Sequence, residues 1–164
     1  MPYLLLAAVA RRLLEGCDWP GGGEVGSVAQ ANGAPKPPLM EAHHADPATA
    51  AVYADICETL GLPFVNTDYR ALARWPSYFA PTWADLKSAV QSDGYEARVA
   101  RIHEKAVELA AALPNPTGLG AAELCAAAEQ DAALGEVLSV VRLFQWLLPG
   151  LAVNVAFLRA QLYD

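Results

Sequence analysis

Cysteine is scarce: Cys17, Cys57 and Cys125 are the three in 164 residues, widely spaced and without a Cys-x-x-Cys pair. An odd count leaves one thiol over in any disulfide scheme, and the spacing offers no zinc site. Positive charge is short as well. Eleven Lys and Arg stand against eighteen Asp and Glu, a formal net charge of −7. No basic cluster offsets that balance, which argues against a nucleic-acid partner. Period-two alternation of the strand type is missing throughout. The apolar stretch Tyr3 to Val9 has no basic region ahead of it, and Arg11, Arg12 and Glu15 interrupt it. It reads neither as a signal peptide nor as a membrane span. A reducing, cytoplasmic setting is the expectation.

Apolar residues are abundant instead, at 54%, largely Ala and Leu, with only 18% charged. That composition and length predict one all-α domain with a real core. Pro2 to Glu15 reads as a helix with Pro in its first turn and Gly16 as its stop. Residues 17–45 are rich in Gly and Pro and read as a linker, with Gly21-Gly22-Gly23 lacking the downstream Lys of a phosphate loop. Asp46-Pro47 caps the next helix, whose inner stripe is Val52, Ile56, Thr59 and Leu60, closed by Gly61. Ser77 to Gln91 reads as helical with a bend at Pro81. Tyr95 to Leu113 carries a stripe of Val99, Ile102, Ala106, Leu109 and Leu113. Ala121 to Leu148 is one long helix or two, and Pro149 starts or kinks a last helix to about Tyr163.

The most informative stretch lies between Gly61 and Trp75. Asn66 and Thr67 are good N-caps, and Asp68 falls in the first turn of the helix they would start. A carboxylate beside the positive end of a helix dipole is favoured in its charged form. Such a group can serve as a general base toward water or as a nucleophile; equally, it can simply cap the helix.

The run LGLPFVNTDYRALARWPSYFAPTWADLK, Leu60 to Lys87, resembles the group I, DehI-type 2-haloacid dehalogenases, an all-helical family built from two similar repeats with the active site between them. The resemblance extends over residues 46 to 92 and thins toward the C-terminus. It implies hydrolysis of the carbon–halogen bond of a short halogenated carboxylic acid, with inversion, no ester intermediate, no cofactor and no metal. It implies Asp68 as the base that activates water, with Thr67 as the small hydroxyl residue before it. Tolerance of both enantiomers also follows from the family plan. Met1-Pro-Tyr-Leu-Leu-Leu echoes Leu148-Pro-Gly-Leu-Ala-Val, and at the same offset Arg12 falls on Arg159. On the two-repeat plan, residues 1–16 are the final helix of the first repeat, 17–45 the linker and 46–164 the second repeat. Most of the first repeat would then lie outside this chain.

The remaining candidates each carry a plainer reading. Asn66 and Thr67 contact substrate or water, or cap the helix. Arg70 is two residues from Asp68 and so shares no helix face with it; it binds a carboxylate from another angle or makes a salt bridge, and Arg74 follows the same choice. Thr82 stands near where the family places an amide side chain, a departure from the pattern. Phe144 and Leu147 fall where the family has apolar pocket lining, or else pack helices. Tyr69, Leu72, Trp75, Tyr78 and Phe79 are expected in the core. Asn154 is a polar residue in an apolar run, assigned to neither structure nor site. His43-His44 beside Glu41 and Asp46 is a weak metal candidate in a linker. Two functions follow: a 2-haloacid dehalogenase, or a catalytically silent helical module of that family that forms a homodimer in place of the missing repeat.

Overall fold

The computed structural model describes residues 2–21 and 37–163, so the glycine-rich centre of the expected linker lies outside the described residues. Seven α-helices and one short 3₁₀ turn make up the described chain: α1 (Pro2–Leu14), the turn Ala42–His44, α2 (Pro47–Leu60), α3 (Thr67–Leu72), α4 (Pro76–Val90), α5 (Tyr95–Ala111), α6 (Ala121–Ala128) and α7 (Leu134–Tyr163). No strand occurs among the described residues, in agreement with the all-α expectation. The open choice after Ala121 resolves into a short α6 and a long α7 with Pro149 inside it. By length and composition α7 is apolar enough to cross a membrane, a property core helices share. The chain divides into two compact units, Met1–Ala29 with Glu96–Val153, and Gln30–Tyr95 with Asn154–Asp164.

In the first unit, α1 ends because Gly16 adopts a left-handed conformation (φ 80°). That turn lets the Cys17 amide donate to the Arg12 carbonyl and the Gly16 amide to that of Leu13, satisfying carbonyls the helix leaves free. Leu4, Ala8, Val9, Leu13 and Leu14 form the buried stripe of α1. Ala8, Val9 and Leu13 meet Ala110 of α5, with Trp19, Leu119 and Leu124 closing over them. The Asn115 side chain both donates to and accepts from the main chain of Leu119, at 3.0 Å each, and so fixes the turn before α6.

The buried stripe of α5 differs from the expected one. Ile102 and Leu109 are 39% and 45% exposed, whereas Ala106 and Ala110 are buried. The helical period holds, but the face is turned by about one residue toward His103 and Ala110. Small side chains let helix backbones approach closely, so packing selects the alanine face over the larger residues beside it.

In the second unit, Asp46 caps α2 by accepting from the Thr49 amide at 2.7 Å, and Pro47 follows at the position that needs no N–H. Gly61 ends α2 in the left-handed region (φ 63°). Both α2 and α3 pack on α4. Tyr53 meets Phe79 edge-on at 5.9 Å. Asp55 on α2 ties down two residues one turn apart on α4, accepting from Trp83 Nε1 at 2.7 Å and Lys87 Nζ at 2.6 Å. Ile56 and Leu86 are almost wholly buried. Trp75, expected in the core, is 58% exposed. It precedes Pro76, which holds it out of helical geometry (φ −121°, ψ 75°) and so off the packed face of α4.

Candidate active site

The left-handed Gly61 turns the chain out of α2, and extended residues lead to Asn66, the N-cap of α3. Asn66 accepts from the Arg70 amide through its carbonyl at 3.2 Å, but its side chain makes no capping bond. The side chain is buried, and its Oδ1 has no hydrogen-bond partner. Thr67 is exposed at the head of the helix, and Asp68, next to it, is half-buried. The start of α3 therefore carries an exposed hydroxyl and a half-buried carboxylate, preceded in sequence by a buried amide oxygen without a partner. An unpaired buried acceptor of this kind is costly, and a water or ligand donor would relieve it.

Arg70 lies one turn beyond Asn66 and on the same face. Its Nη1 donates to Glu41 Oε2 at 2.6 Å, while its Nε is buried without a partner. The Arg70 carbonyl accepts from the Met40 amide at 2.9 Å, and Tyr53 Oη donates to the Met40 carbonyl at 2.7 Å. Residues 40–41 are thus laced to α2 and α3. This pairing, the plainer of the two readings of Arg70, escapes sequence inspection because Glu41 is 29 residues away.

Thr82 is buried in α4, beside Trp83. Arg74 is exposed. Tyr69 and Phe79 are in the core as expected, and Tyr78 is half-buried with its hydroxyl unpaired. Phe144 and Leu147 belong to the first unit, where Leu147 is buried and Phe144 is 40% exposed. Among the described residues no three His, Cys, Asp or Glu side chains cluster to hold a metal, His43 and His44 included.

Behind Asp68 stands a network the sequence flagged only in part. Tyr69, 1% exposed, accepts from Asn154 Nδ2 at 2.9 Å. Asn154 Oδ1 in turn accepts from the Tyr95 hydroxyl at 2.9 Å. Burial pushes the Tyr69 hydroxyl well above the usual phenol range, opposed by the Asn154 amide and reinforced by the negative charge of Asp68. Asn154 stood out as polar in an apolar run; Tyr95 carried no signal of its own.

The known proteins to which this chain is similar share one name. A protein of Rhizobium sp. (strain NHG3) named (R)-2-haloacid dehalogenase is 46% identical over 122 residues, which is 72% of this chain and 47% of that protein. One of the same name from Pseudomonas putida is 39% identical over 127 residues, 77% of this chain and 42% of that protein. The chain is a relative of the 2-haloacid dehalogenases. Solved dehalogenase structures agree with it in fold. A D-2-haloacid dehalogenase in complex with L-LA superposes with a TM-score of 0.78 at 34% identity, covering 97% of this chain and 57% of that one. A mutant D-2-haloacid dehalogenase in complex with D-2-CPA gives 0.81 at the same identity, with 97% and 56% covered. No family model matches the chain. This dehalogenase relative thus spans about half the length of the proteins it matches.

Proposed function

We propose that this chain carries the water-activating part of a group I-type 2-haloacid dehalogenase site and acts on short 2-halocarboxylic acids. The observation that carries the reading is Asp68, half-exposed at the head of α3 in a chain 46% identical to an (R)-2-haloacid dehalogenase. Asp68 takes a proton from water as the water oxygen attacks C2 of the acid. The new C–O bond forms as the C–halogen bond breaks, the halide leaves with the electron pair, and configuration at C2 inverts. The product is the 2-hydroxy acid, and no ester to the enzyme forms. Asn66 and Thr67 orient the water or the acid. Arg70 and Thr82 attend the substrate from α3 and α4. No cofactor or metal enters these steps, and the chain works in the cytoplasm. The names of the relatives make the R acid the first substrate to try; the pseudo-symmetric family plan would admit the S acid as well.

Halide release from each enantiomer of 2-chloropropionate tests the reading, with Asp68→Asn as control. Release that falls by at least about 100-fold in the mutant, at unchanged thermal stability, is the expected result. Full activity in Asp68→Asn would remove that residue from the mechanism.

A second reading rests on the chain's spanning about half the length of its relatives. Here the chain is a helical module that is silent alone and self-associates. Folded wild-type protein that releases no halide from either enantiomer would favour it.

A further inference from the structure

Asn154 sits within the apolar run Leu151-Ala-Val-Asn-Val-Ala-Phe-Leu158 of α7 and is 1% exposed. A buried primary amide is costly unless both its carbonyl and its NH₂ are bonded. Here both are: the carbonyl accepts from Tyr95 and the NH₂ donates to Tyr69. An apolar residue would fill the same space without that demand, so the amide has a task beyond packing.

The task is legible at α3. That helix has six residues, too few to hold its own geometry in water. Its N-cap gives no side-chain bond. Its placement must therefore come from outside, through Tyr69 and through Arg70 held by Glu41. Tyr69 is gripped at both ends of its side chain: the ring lies edge-on to Trp83 at 6.0 Å, and the hydroxyl accepts from Asn154. Asp68 is joined directly to Tyr69 along the chain. Any rotation of Tyr69 about the helix axis carries the carboxylate with it.

We propose that Asn154 is a positioning residue for the reaction, holding Tyr69 by its hydroxyl so that α3 presents Asp68 at a fixed angle to the reacting water. The proposal rests on Asp68 being the base. Asn154 touches neither substrate nor water; it acts through Tyr69. Misplacing a reacting group by about 1 Å costs about 100-fold in rate, so a small rotation of α3 suffices to be seen.

The test compares Tyr69→Phe, Tyr95→Phe and Asn154→Leu in the full chain by two readouts. Hydrogen exchange of the α3 amides is the first and needs no activity. Tyr69→Phe and Asn154→Leu should each speed exchange in residues 67–72 by about tenfold or more beyond any change in global stability. Tyr95→Phe, which leaves the Asn154–Tyr69 bond in place, should raise α3 exchange only as far as stability falls. The second readout is kinetic: Tyr69→Phe should lower kcat about tenfold or more with KM within about twofold. If Asn154→Leu does not fold, Tyr69→Phe alone decides, since it removes a single oxygen. Exchange in α3 that matches Tyr95→Phe at equal stability overturns the proposal. So does an unchanged kcat in Tyr69→Phe when the wild-type protein releases halide. A wild type that releases none sinks the dehalogenase reading instead, and α3 exchange still decides whether Asn154 holds that helix.

Discussion

Asp46, Asp55 and Glu15 are carboxylates whose neighbours all favour the charged form. The Thr49 amide and hydroxyl hold Asp46 below its ordinary range, Lys87 and Trp83 do so for Asp55, and Arg142 and Arg11 for Glu15. Each has a folded value below its unfolded one. Their contribution to stability is therefore complete above the unfolded value, about pH 4, and is lost as pH falls through the lowered folded values. Urea midpoints are expected to drop below about pH 4, and Asp55→Asn should remove part of that drop. An unchanged acid limb in Asp55→Asn would assign it to other groups. Tyr69 runs the opposite way: burial raises it, so its contribution is present below its unfolded value near pH 10 and fades at higher pH. At this scale the sequence was legible where a residue broke its surroundings. Asp68 in a capping position and Asn154 in an apolar run both stood out. Glu41 and Tyr95 did not, because their roles come from partners 29 and 59 residues away.

Helix ends were the most readable elements, since they are written in residues with special backbone demands. Asp46-Pro47 opens α2 and Gly61 closes it, both from the sequence alone. Gly61 holds φ 63°, a conformation that costs a residue with a Cβ about 1–2 kcal/mol. Gly61→Ala should therefore destabilise the protein by about 1 kcal/mol, and Gly61→Asn by less, measured by chemical denaturation. Equal stability in the alanine variant would show that the turn relaxes. Helix faces were harder. On α5 the period pointed to Ile102, Ala106 and Leu109; Ala106 is buried as expected, but Ala110 is buried where Ile102 and Leu109 are exposed. Hydrophobicity ranks residues by size, while close helix packing prefers the small ones, and the two criteria pick faces about one residue apart. Trp75 was misplaced for a related reason: its apolar character says nothing about the non-helical backbone that Pro76 imposes on it.

For the whole molecule, composition was enough for the all-α class. The division into two units was not readable, because each unit joins segments far apart in the chain. No local pattern marks which distant helix will meet which. In the first unit Tyr3 and Leu6 of α1 and Val140, Phe144 and Trp146 of α7 are all at least 40% exposed. Exposed apolar side chains of this size favour association where they adjoin one another. If the self-associating reading holds, sedimentation should give twice the 17.4 kDa of one chain, and Val140→Glu should return it to one. A clean 17.4 kDa species in the wild type would exclude it.

The amide that joins Tyr69 and Tyr95 also has a place in time. Asn154 is made 85 residues after Tyr69, and at about 5–20 residues per second that is a wait of roughly 4–17 s on the ribosome. During that interval α2, α3 and α4 can gather through contacts close in sequence, with Asp55 reaching Trp83 and Lys87. The Tyr69 hydroxyl meets the Asn154 amide only once α7 emerges. The bond that closes this unit is therefore among its last to form, and a nascent chain stalled before Asn154 would hold Asp68 on a helix not yet locked.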